Sequence, residues 1–239
     1  MTFSIVIPAH NEEQYIGTCL QSIVAASRAL DDNVETVVVL NRCTDATRAV
    51  AESFGAAIVE ENAKNLSKIR NAGAKAASGD IIVTIDADSR MSENLLKEIG
   101  RCVETGRYIG GGVVTKPERI SPGIVLTALF FLAPRILSQG ISMGLYWCSR
   151  DTWFAIGGFD ENLLTAEDLD FSLRLKQYGR TLQPRKKYKV LYSSYIVTSC
   201  RKWDQFGDWY IFRGIHDVGK VHAGKDRSIA DKWWYDVKR

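Results

Sequence analysis

The sequence has few of the features that define several common classes of protein. Its cysteines are scattered and form no C-x-x-C pair, which argues against a disulfide framework and against a zinc site. We therefore expect a reducing compartment and a cytoplasmic protein. The formal net charge is only +3 over 239 residues, which is too small to indicate a nucleic-acid partner. The five cysteines are Cys19, Cys43, Cys102, Cys148 and Cys200.

Long hydrophobic runs are also scarce. The most apolar stretch, residues 124–134, is too short to span a bilayer and is followed by Arg135. The chain starts almost directly with a predicted strand, so we expect no secretory signal. Peripheral contact with the inner face of the membrane stays open for this stretch and for Trp233, Trp234 and Tyr235, because aromatic and basic residues favour that boundary. Burial in the core or in a homodimer interface is the alternative.

The first predicted strand, residues 3–8, ends in a loop that lacks the glycines of common nucleotide-binding motifs. Residues 8–13 (PAHNEE) contain neither G-x-G-x-x-G nor a Gly-Lys-Ser/Thr loop, so a dinucleotide cofactor and a P-loop phosphoryl transferase are both disfavoured. The loop nevertheless follows the carboxyl end of a strand, where ligands of open α/β sheets bind. It is therefore a candidate nucleotide site of another kind.

The most informative stretch is residues 81–88 (IIVTIDAD), an apolar run that ends in two carboxylates. The run is typical of a strand buried on both faces, as in a parallel sheet. Alternation along an extended backbone directs Asp86 and Asp88 to the same side, where two hard oxygen ligands suit Mg²⁺ or Mn²⁺ carrying a diphosphate. The structural alternative is a polar turn in which Asp88 or Ser89 caps a helix that begins near Ser92.

The order of predicted elements indicates the fold class. Up to residue 117 strands alternate with helices, which predicts an α/β protein with a doubly wound, mostly parallel sheet flanked by helices. Asn11 is predicted to cap the first helix. Glycines 110–112 lie in a later strand and would let a ligand or another backbone approach closely. The predicted strands are residues 3–8, 34–40, 56–60, 81–85 and 108–116, with helices at 16–24, 46–54 and 66–77 between them.

Beyond residue 117 the strict alternation stops. We predict one or two apolar helices over residues 121–139, a strand over 145–148, an amphipathic helix over 165–178 ended by Gly179, and a helical C-terminal extension. With no internal repeat or low-complexity linker, the chain is interpreted as a single domain, residues 1–239. Its parts are a nucleotide-sugar-binding half (1–117), an acceptor and catalytic-base half (118–202) and the extension (203–239).

Three carboxylates crowd the predicted start of the 165–178 helix. Thr165 followed by Asp168 resembles a capping box, and acids there also suit the helix dipole, so a purely structural role is complete in itself. Asp170 and Arg174 are four residues apart and would form a supporting pair. In the functional interpretation, one acid is a general base, because a sugar hydroxyl is a poor nucleophile until its proton is removed.

Six short motifs occur in order between residues 8 and 168, and together they resemble family 2 glycosyltransferases, which are inverting enzymes of the GT-A fold. The resemblance covers essentially residues 3–203. It implies a nucleotide-diphosphate sugar as donor and Mn²⁺ or Mg²⁺ as cofactor. The motifs are residues 8–13 (PAHNEE), 44–47 (TDAT), 70–73 (RNAG), 86–88 (DAD), 157–160 (GGFD) and 167–168 (ED).

The resemblance also implies roles for individual residues. Asp88 matches the metal-binding acid, and Asp86 matches the acid near the metal, ribose and sugar. Asp168 matches the base that deprotonates the acceptor, with Glu167 beside it in the catalytic pair. Five further residues match positions of the nucleotide pocket, namely Pro8, His10, Glu12, Asp45 and Arg70.

Two departures from the family pattern refine the expected activity. Leu40 stands where family members often carry an aspartate that contacts uracil, and because leucine cannot accept that hydrogen bond, the departure counts against UDP and leaves GDP or dTDP open. Residues 200–203 (CRKW) match only partly the Gln-x-x-Arg-Trp motif of processive members, so we predict transfer of a single sugar. Arg201 and Lys202 would hold the donor diphosphate. His216 or His222 would add a metal ligand, with a surface histidine as the alternative.

The expected function is therefore inverting, metal-dependent transfer of one sugar to a hydroxyl of a glycan, lipid or small-molecule acceptor. Two alternatives stay open at this point. A sugar-1-phosphate nucleotidylyltransferase uses a related sheet and a metal, but it would need a Gly-rich, Arg-bearing loop in place of residues 8–13. A non-catalytic nucleotide- or glycan-binding domain would not need both the metal acids and the Glu-Asp pair.

Overall fold

The computed structural model describes residues 1–30 and 33–231. Within these ranges it leaves out the side chains of Leu132, Arg135, Ile215, His216, Val218, His222 and Ile229. The strands are β1 (Thr2–Ala9), β2 (Asn33–Leu40), β3 (Ala57–Glu60), β4 (Ile81–Ile85), β5 (Ser89–Met91), β6 (Tyr108–Pro117), β7 (Leu145–Ser149) and β8 (Lys187–Thr198).

Helices occupy much of the remainder of the described chain. They are α1 (Ile16–Ser27), α2 (Thr47–Ser53), α3 (Leu66–Ala76), α4 (Leu95–Glu104), α5 (Pro122–Thr127), a π-helical turn (Ala128–Leu132), α6 (Ala133–Gln139), α7 (Arg150–Ala155), α8 (Glu167–Thr181), α9 (Arg201–Phe206), α10 (Tyr210–Arg213), α11 (Ile215–Ala223) and α12 (Arg227–Ala230).

The eight strands form one mixed sheet in the order β3-β2-β1-β4-β7-β6-β8-β5. The first four are parallel, as the alternating pattern predicts. β7 then lies antiparallel between β4 and β6, β6 and β8 are parallel, and β5 is antiparallel to β8. The α/β class and the doubly wound first half are confirmed, and mixed pairing characterises the second half of the sheet.

Helices cover both faces of the sheet, which explains the uninterrupted apolar runs of its central strands. Alternate residues of β1 divide between two cores. Ile5 and Ile7 pack with residues of α1 and α4 on one face, whereas Val6 packs with residues of α3 and α8 on the other. The carboxyl ends of β1 and β4 therefore open between rigidly packed layers.

The glycines of β6 serve close backbone approach within the sheet. A Cβ at Gly111 would clash with the carbonyl of Lys189 in β8, and a Cβ at Gly112 would clash with the hydroxyl of Ser142. Of the two predicted explanations for these glycines, another backbone rather than a ligand is the neighbour observed at Gly111.

The segment after Asp88 differs from the sequence prediction. Ser89 does not cap a helix, because it enters the short strand β5 and pairs with Thr198 of β8. The following helix begins at Leu95, and its N-terminal flanking residue Asn94 makes no capping hydrogen bond with its side chain. Pairing with the distant strand β8 therefore overrides the local capping signal.

The predicted cap of the first helix is also wrong. Asn11 adopts a left-handed backbone conformation with φ of 51°. Its side-chain carbonyl accepts a hydrogen bond from the Thr44 amide at 2.8 Å. Asn11 thus joins the loops that follow β1 and β2, and α1 begins only at Ile16.

The start of α8 is set by contacts that no local motif encodes. The flanking residue is Ala166, which has φ of 58° and makes no side-chain cap. The hydroxyl of Thr165 instead donates to the carbonyl of Val221 at 2.6 Å, so the predicted capping box is absent. The helix also continues past Gly179 to Thr181, and Gly179 leaves no room for a Cβ because the Lys186 carbonyl lies against it.

The apolar stretch after β6 forms one helix over Pro122–Gln139, longer than the run recognised in the sequence. Its 18 residues have a mean hydropathy of 1.4 and are 19% buried. Length and composition alone would let it cross a membrane, and no other helix in residues 1–30 and 33–231 meets that test. Ile124 and Thr127 pack inward, whereas Leu129 and Phe130 are exposed.

Candidate active site

A cleft of about 190 Å³ lies at the carboxyl ends of β1 and β4, between the first half of the chain and α8 and α9. Among the predicted site residues whose side chains the structure describes, all but Asp45 line it. The lining includes Pro8, His10, Glu12, Arg70, Asp86, Asp88, Glu167, Asp168 and Arg201, together with Asn41, Gly144, Leu164 and Lys202. Acids from β4 and α8, which are about eighty positions apart in the sequence, therefore share one cavity.

Asp86 and Asp88 both face this cleft, as alternation beyond β4 predicts. Asp86 Oδ1 accepts a hydrogen bond from Arg70 at 2.8 Å, and 40% of its side chain is exposed. Asp88 is more enclosed. Its Oδ2 accepts from the Ser199 hydroxyl at 2.7 Å and lies 3.0 Å from Arg201.

Arg70 is buried beneath the cleft and joins acids from both halves of the chain. One guanidinium nitrogen binds Asp86, and another donates to Glu167 at 2.9 Å. The guanidinium carbon also lies 5.0 Å from the ring centroid of Phe159. Burial alone would lower the pKa of Arg70, but the two carboxylates raise it, so Arg70 remains a cation. Its predicted contact with the nucleotide stays a prediction, because in this structure its charge is directed to carboxylates.

Phe159 belongs to an aromatic cluster that supports Arg70. Its ring stacks on Phe171 of α8 at 4.3 Å between centroids, and Tyr146 and Trp153 meet these rings edge-on or tilted. These large side chains fix α8 against β7 and α7. The predicted GGFD motif, residues 157–160, therefore contributes to the site through packing.

Glu167 and Asp168 occupy the first turn of α8. Burial, and then the charge of Asp168, raise the pKa of Glu167 to about 7, against the opposing effect of Arg70. Burial also raises the pKa of Asp168, although Arg70, the Leu169 amide and the Tyr146 hydroxyl counteract it. The two carboxyls thus titrate closer to neutral pH than ordinary acids, which suits proton transfer.

Glu12 and Arg201 form a buried ion pair that connects the β1 exit loop with α9. The guanidinium binds both carboxylate oxygens of Glu12, at 2.6 and 2.8 Å, and lies 5.3 Å from the ring of Tyr15. Burial alone would lower the pKa of Arg201, but Glu12 and Asp88 raise it. The mouth of the cleft therefore carries a permanent positive charge beside Asp88.

The predicted nucleotide pocket is only partly assembled in the cleft. Pro8 and His10 line it, and His10 Nδ1 lies 2.5 Å from the carbonyl oxygen of Asn41. Asp45 does not line it. Its carboxylate accepts hydrogen bonds from the Glu13 amide and from Thr47 at the start of α2, and it borders a separate depression of about 290 Å³.

Asn41, which follows Leu40, uses its side-chain amide in hydrogen bonds within the protein. The Asn41 amide donates to the carbonyls of Glu61 and Ala63, at 2.5 and 2.9 Å. It braces the loops after β2 and β3, so the end of β2 does not offer this amide to a base. This loop chemistry differs from the aspartate that contacts uracil in the family pattern.

The cleft offers two carboxylates to a divalent cation, those of Asp86 and Asp88. Among the residues the structure describes, no three His, Cys, Asp or Glu side chains form a metal-binding group. Asp86 and Asp88 are two hard oxygen donors on one wall, and Mg²⁺ or Mn²⁺ commonly takes one or two carboxylates plus substrate phosphates. The donor set therefore fits such an ion when a diphosphate completes the coordination.

Some predicted contributors lie outside what the structure describes. The side chains of His216 and His222 are among those left out, and Trp233, Trp234 and Tyr235 fall beyond residue 231. Their predicted roles as metal ligands and as membrane contacts stay predictions.

Two residues of the site carried no recognisable signal in the sequence. Ser199 binds Asp88, and the Tyr146 hydroxyl interacts with Asp168. Each follows or lies in a strand whose local pattern indicates only burial. Sheet pairing of β7 beside β4 and of β8 beside β5 brings them to the cleft.

Sequence comparisons extend these observations to known proteins. A family profile described as Glycosyl transferase family 2 matches residues 4–128. Glycosyltransferase AglE of Haloferax volcanii is 23% identical over 194 residues, which cover 75% of this chain and 62% of AglE. The poly(ribitol-phosphate) beta-N-acetylglucosaminyltransferase TarS of Staphylococcus aureus is 28% identical over 111 residues, covering 44% and 19%. The chain spans less than two thirds of the length of these curated relatives.

Solved structures share the fold at low sequence identity. S. aureus TarS in complex with UDP-GlcNAc superposes with a TM-score of 0.64 at 20% identity, covering 99% of this chain and 71% of the other. The mannosyltransferase PcManGT of Pyrobaculum calidifontis, in complex with GDP-Man and Mn²⁺, also gives 0.64, at 18% identity and with 90% and 64% covered.

The mixed sheet, with an acidic cleft at the end of β4, has the GT-A fold of these solved structures. The profile match extends over more than half of the sequence, and the chain belongs to glycosyl transferase family 2. Membership of this family favours sugar transfer over the nucleotidylyltransferase and the non-catalytic binding domain.

Proposed function

We propose that this glycosyltransferase transfers a single sugar, with inversion, from a nucleotide-diphosphate sugar to an acceptor hydroxyl, and that it depends on Mn²⁺ or Mg²⁺. The observation that carries the proposal is the common cleft lined by Asp86 and Asp88 on one wall and by Asp168 on the other. The carboxylates of one wall would hold a divalent cation that carries the diphosphate. The other wall has a carboxyl suited to accept a proton.

Asp168 is the proposed general base. It lies in the first turn of α8, where the Leu169 amide donates to its Oδ1 at 2.7 Å. This contact and Tyr146 orient the carboxylate, which would accept the acceptor proton as the hydroxyl attacks the anomeric carbon. Attack opposite the leaving diphosphate inverts the configuration, and no covalent intermediate on the protein is needed.

Glu167 is proposed to assist the base rather than to replace it. Its carboxylate is bound to Arg70, and its raised pKa lets it keep a proton near neutral pH. A neutral Glu167 reduces repulsion against the ionised Asp168, since two adjacent carboxylates do not ionise independently.

Asp88 and Asp86 are the proposed protein ligands of the divalent cation. When bound, that ion would neutralise the charge that develops on the departing nucleoside diphosphate. Arg201 and Lys202, which line the same mouth of the cleft, would bind the diphosphate oxygens. Pro8, His10 and Glu12 would border the nucleoside, with Asp45 supporting the neighbouring loop.

The nucleotide base and the sugar are left open in the proposal. TarS was solved with UDP-GlcNAc and PcManGT with GDP-Man, so neighbours of equal similarity carry different bases. Leu40 and the committed amide of Asn41 give no reason to prefer uracil. UDP, GDP and dTDP sugars are all candidate donors.

A donor screen tests this proposal. Purified protein is incubated with UDP-, GDP- and dTDP-sugars and Mn²⁺, and release of the nucleoside diphosphate is measured with and without EDTA. We expect metal-dependent turnover of one donor class, and NMR of the product should report an anomeric configuration opposite to that of the donor. Retention of configuration, or full turnover in EDTA, would contradict the inverting or the metal-dependent part respectively.

The acceptor side is proposed to meet a membrane surface through the helix Pro122–Gln139. Its outward side chains include Val125, Leu129, Phe130 and Leu137, all exposed. A peripheral helix of this kind buries its apolar face at the lipid boundary. Five unpaired cysteines are consistent with a reducing compartment, so we propose the cytoplasmic side of the membrane and a lipid-bearing acceptor.

Vesicle flotation distinguishes this idea from a homodimer interface. We expect the protein to float with anionic vesicles and the double variant Leu129→Ser/Phe130→Ser to remain in the dense fraction. Sedimentation that shows a dimer, combined with no flotation, would assign the face to a second copy of the chain.

A further inference from the structure

Arg201 contacts two acids that belong to different parts of the donor site. Its guanidinium binds Glu12 through both terminal nitrogens, and one of these nitrogens also lies 3.0 Å from Asp88 Oδ2. Glu12 is almost fully buried, with 3% of its side chain exposed, and Arg201 is 17% exposed. The arginine is therefore held in place by Glu12, while its contact with Asp88 is a single, shared one.

The contact with Asp88 brings the guanidinium to the carboxylate that is proposed to hold the cation. A guanidinium and a divalent cation repel each other, and both would draw on the same carboxylate charge. Asp88 already accepts the Ser199 hydroxyl on Oδ2, so its negative charge is largely compensated in the absence of a donor. A cation that arrives alone has to compete with Arg201.

We propose that Arg201 neutralises Asp88 in the free protein and releases it only when a nucleoside diphosphate binds. Arg201 thereby determines that the cation binds together with the nucleotide. The diphosphate offers Arg201 a stronger anionic partner on the same side of the cleft, and this frees Asp88 for the cation. Glu12 keeps the guanidinium near both partners, since its two hydrogen bonds are independent of Asp88. The inference rests on the proposed metal-dependent function and adds an order to it: metal and nucleotide bind cooperatively.

The coupling between the two ligands follows from linkage. Because the nucleotide removes a competitor of the cation, it raises the cation's affinity, and the cation raises nucleotide affinity by the same factor. Free protein should therefore bind Mn²⁺ weakly, which would protect the acidic cleft from unproductive metal occupancy. The coupling should depend on Arg201 and not on the overall charge of the protein.

The test measures Mn²⁺ binding directly, without turnover, by the electron paramagnetic resonance signal of free Mn²⁺. Wild-type protein and Arg201→Gln are titrated with Mn²⁺ alone and then in the presence of UDP or GDP. We expect Arg201→Gln to bind Mn²⁺ alone about tenfold more tightly than wild type, and the enhancement by nucleotide to shrink by a similar factor. Arg101→Gln, an exposed arginine on α4, is the matched control and should behave as wild type.

Loss of Arg201 leaves the buried carboxylate of Glu12 without its partner, which threatens folding. The double variant Glu12→Gln/Arg201→Gln removes both charges and still uncovers Asp88, so it should also bind Mn²⁺ alone more tightly than wild type. Unchanged or weaker Mn²⁺ binding by both variants would overturn the inference alone. No Mn²⁺ binding by any of the proteins, with or without nucleotide, would overturn it together with the proposed metal dependence.

Discussion

The two halves of the chain contribute to the cleft by different structural means. In the first half, Asp86 and Asp88 directly follow a five-residue strand whose residues are all buried, so backbone geometry alone aims them. In the second half, Asp168 lies on a helix whose start depends on Ala166 in a left-handed conformation and on a contact from Thr165 to Val221. The local sequence therefore positions the two proposed metal ligands, whereas tertiary packing positions the proposed base.

Arg70 is the direct connection between these two walls. It reaches from α3 to Asp86 on one side and to Glu167 on the other. The two halves are therefore distinct in origin but coupled electrostatically, and substitutions can be chosen to separate binding, turnover and stability.

The largest expected effect is on turnover, from a change in the second half. Asp168→Asn keeps the shape of the side chain but cannot accept the acceptor proton, so kcat should fall about 10²- to 10⁴-fold with donor affinity largely intact. Steady-state kinetics and calorimetry with the donor measure the two quantities. Asp170→Asn, two residues along α8 and paired with Arg174, is the control. Near wild-type kcat in Asp168→Asn would mean that the base lies elsewhere.

Removal of Arg70, which connects the two walls, should mainly lower the free energy of unfolding. Arg70→Met leaves Asp86 and Glu167 without their buried partner and should lower the free energy of unfolding by about 3–5 kcal/mol, measured by urea denaturation. Arg48→Met breaks an exposed pair with Glu60 and should cost less than about 1 kcal/mol. Equal losses in the two variants would refute the central role of Arg70.

A change in the first half should weaken donor binding. Asp88→Asn is expected to lower Mn²⁺-dependent donor affinity by about 10- to 100-fold, because a cation ligand is lost. Calorimetry with the donor, in Mn²⁺ and in EDTA, measures the effect. Asp151→Asn, an exposed acid at the start of α7, serves as the control. Donor affinity that is the same in Mn²⁺ and EDTA for wild type would exclude Asp88 as a ligand.

A substitution outside the cleft should weaken one of the contacts that position α8. Thr165→Val removes the hydroxyl that donates to the Val221 carbonyl and should cost about 1 kcal/mol of stability. Because α8 carries Asp168, kcat should fall more than donor affinity does. Thr181→Val, which removes an exposed hydroxyl at the other end of α8, should change neither. A fall in donor affinity without a fall in kcat would contradict the division between the halves.

The last expected effect is a pH dependence of stability, which concerns one carboxyl of the second half. The pKa of Glu167 is raised from 4.5 to about 7 in the folded protein, so the folded state binds this proton more tightly than the unfolded state does. Glu167 therefore favours folding at low pH, and its contribution declines as the pH rises from about 4.5 to 7, by about 3 kcal/mol for a shift of this size. Urea denaturation of wild type and Glu167→Gln at pH 5 and pH 8 measures the difference. Parallel pH dependences would show that Glu167 has no raised pKa.

Sequence patterns were most reliable where the periodicity of an element and its exit loop carry the signal together. The strands and helices up to β4 were predicted to within a few residues, and Asp86 and Asp88 were expected on one side of the sheet, as observed. Predictions based on local caps failed at Asn11, Ser89 and Thr165. Asn11 and Thr165 form hydrogen bonds with distant segments, and Ser89 pairs with a distant strand.

The sequence alone determined that two carboxylates end a buried strand, that an α/β sheet holds them, and that the motifs follow a glycosyltransferase order. It could do so because strand alternation and hydrophobic burial are local properties of the chain. Three features of the site depend on the tertiary structure. Arg70 contacts acids on both walls, Arg201 contacts Asp88, and Asp168 lines the same cleft. The arginine contacts among them join residues about 16 to 113 positions apart, and no local pattern encodes which of many acids an arginine will meet once the chain is folded.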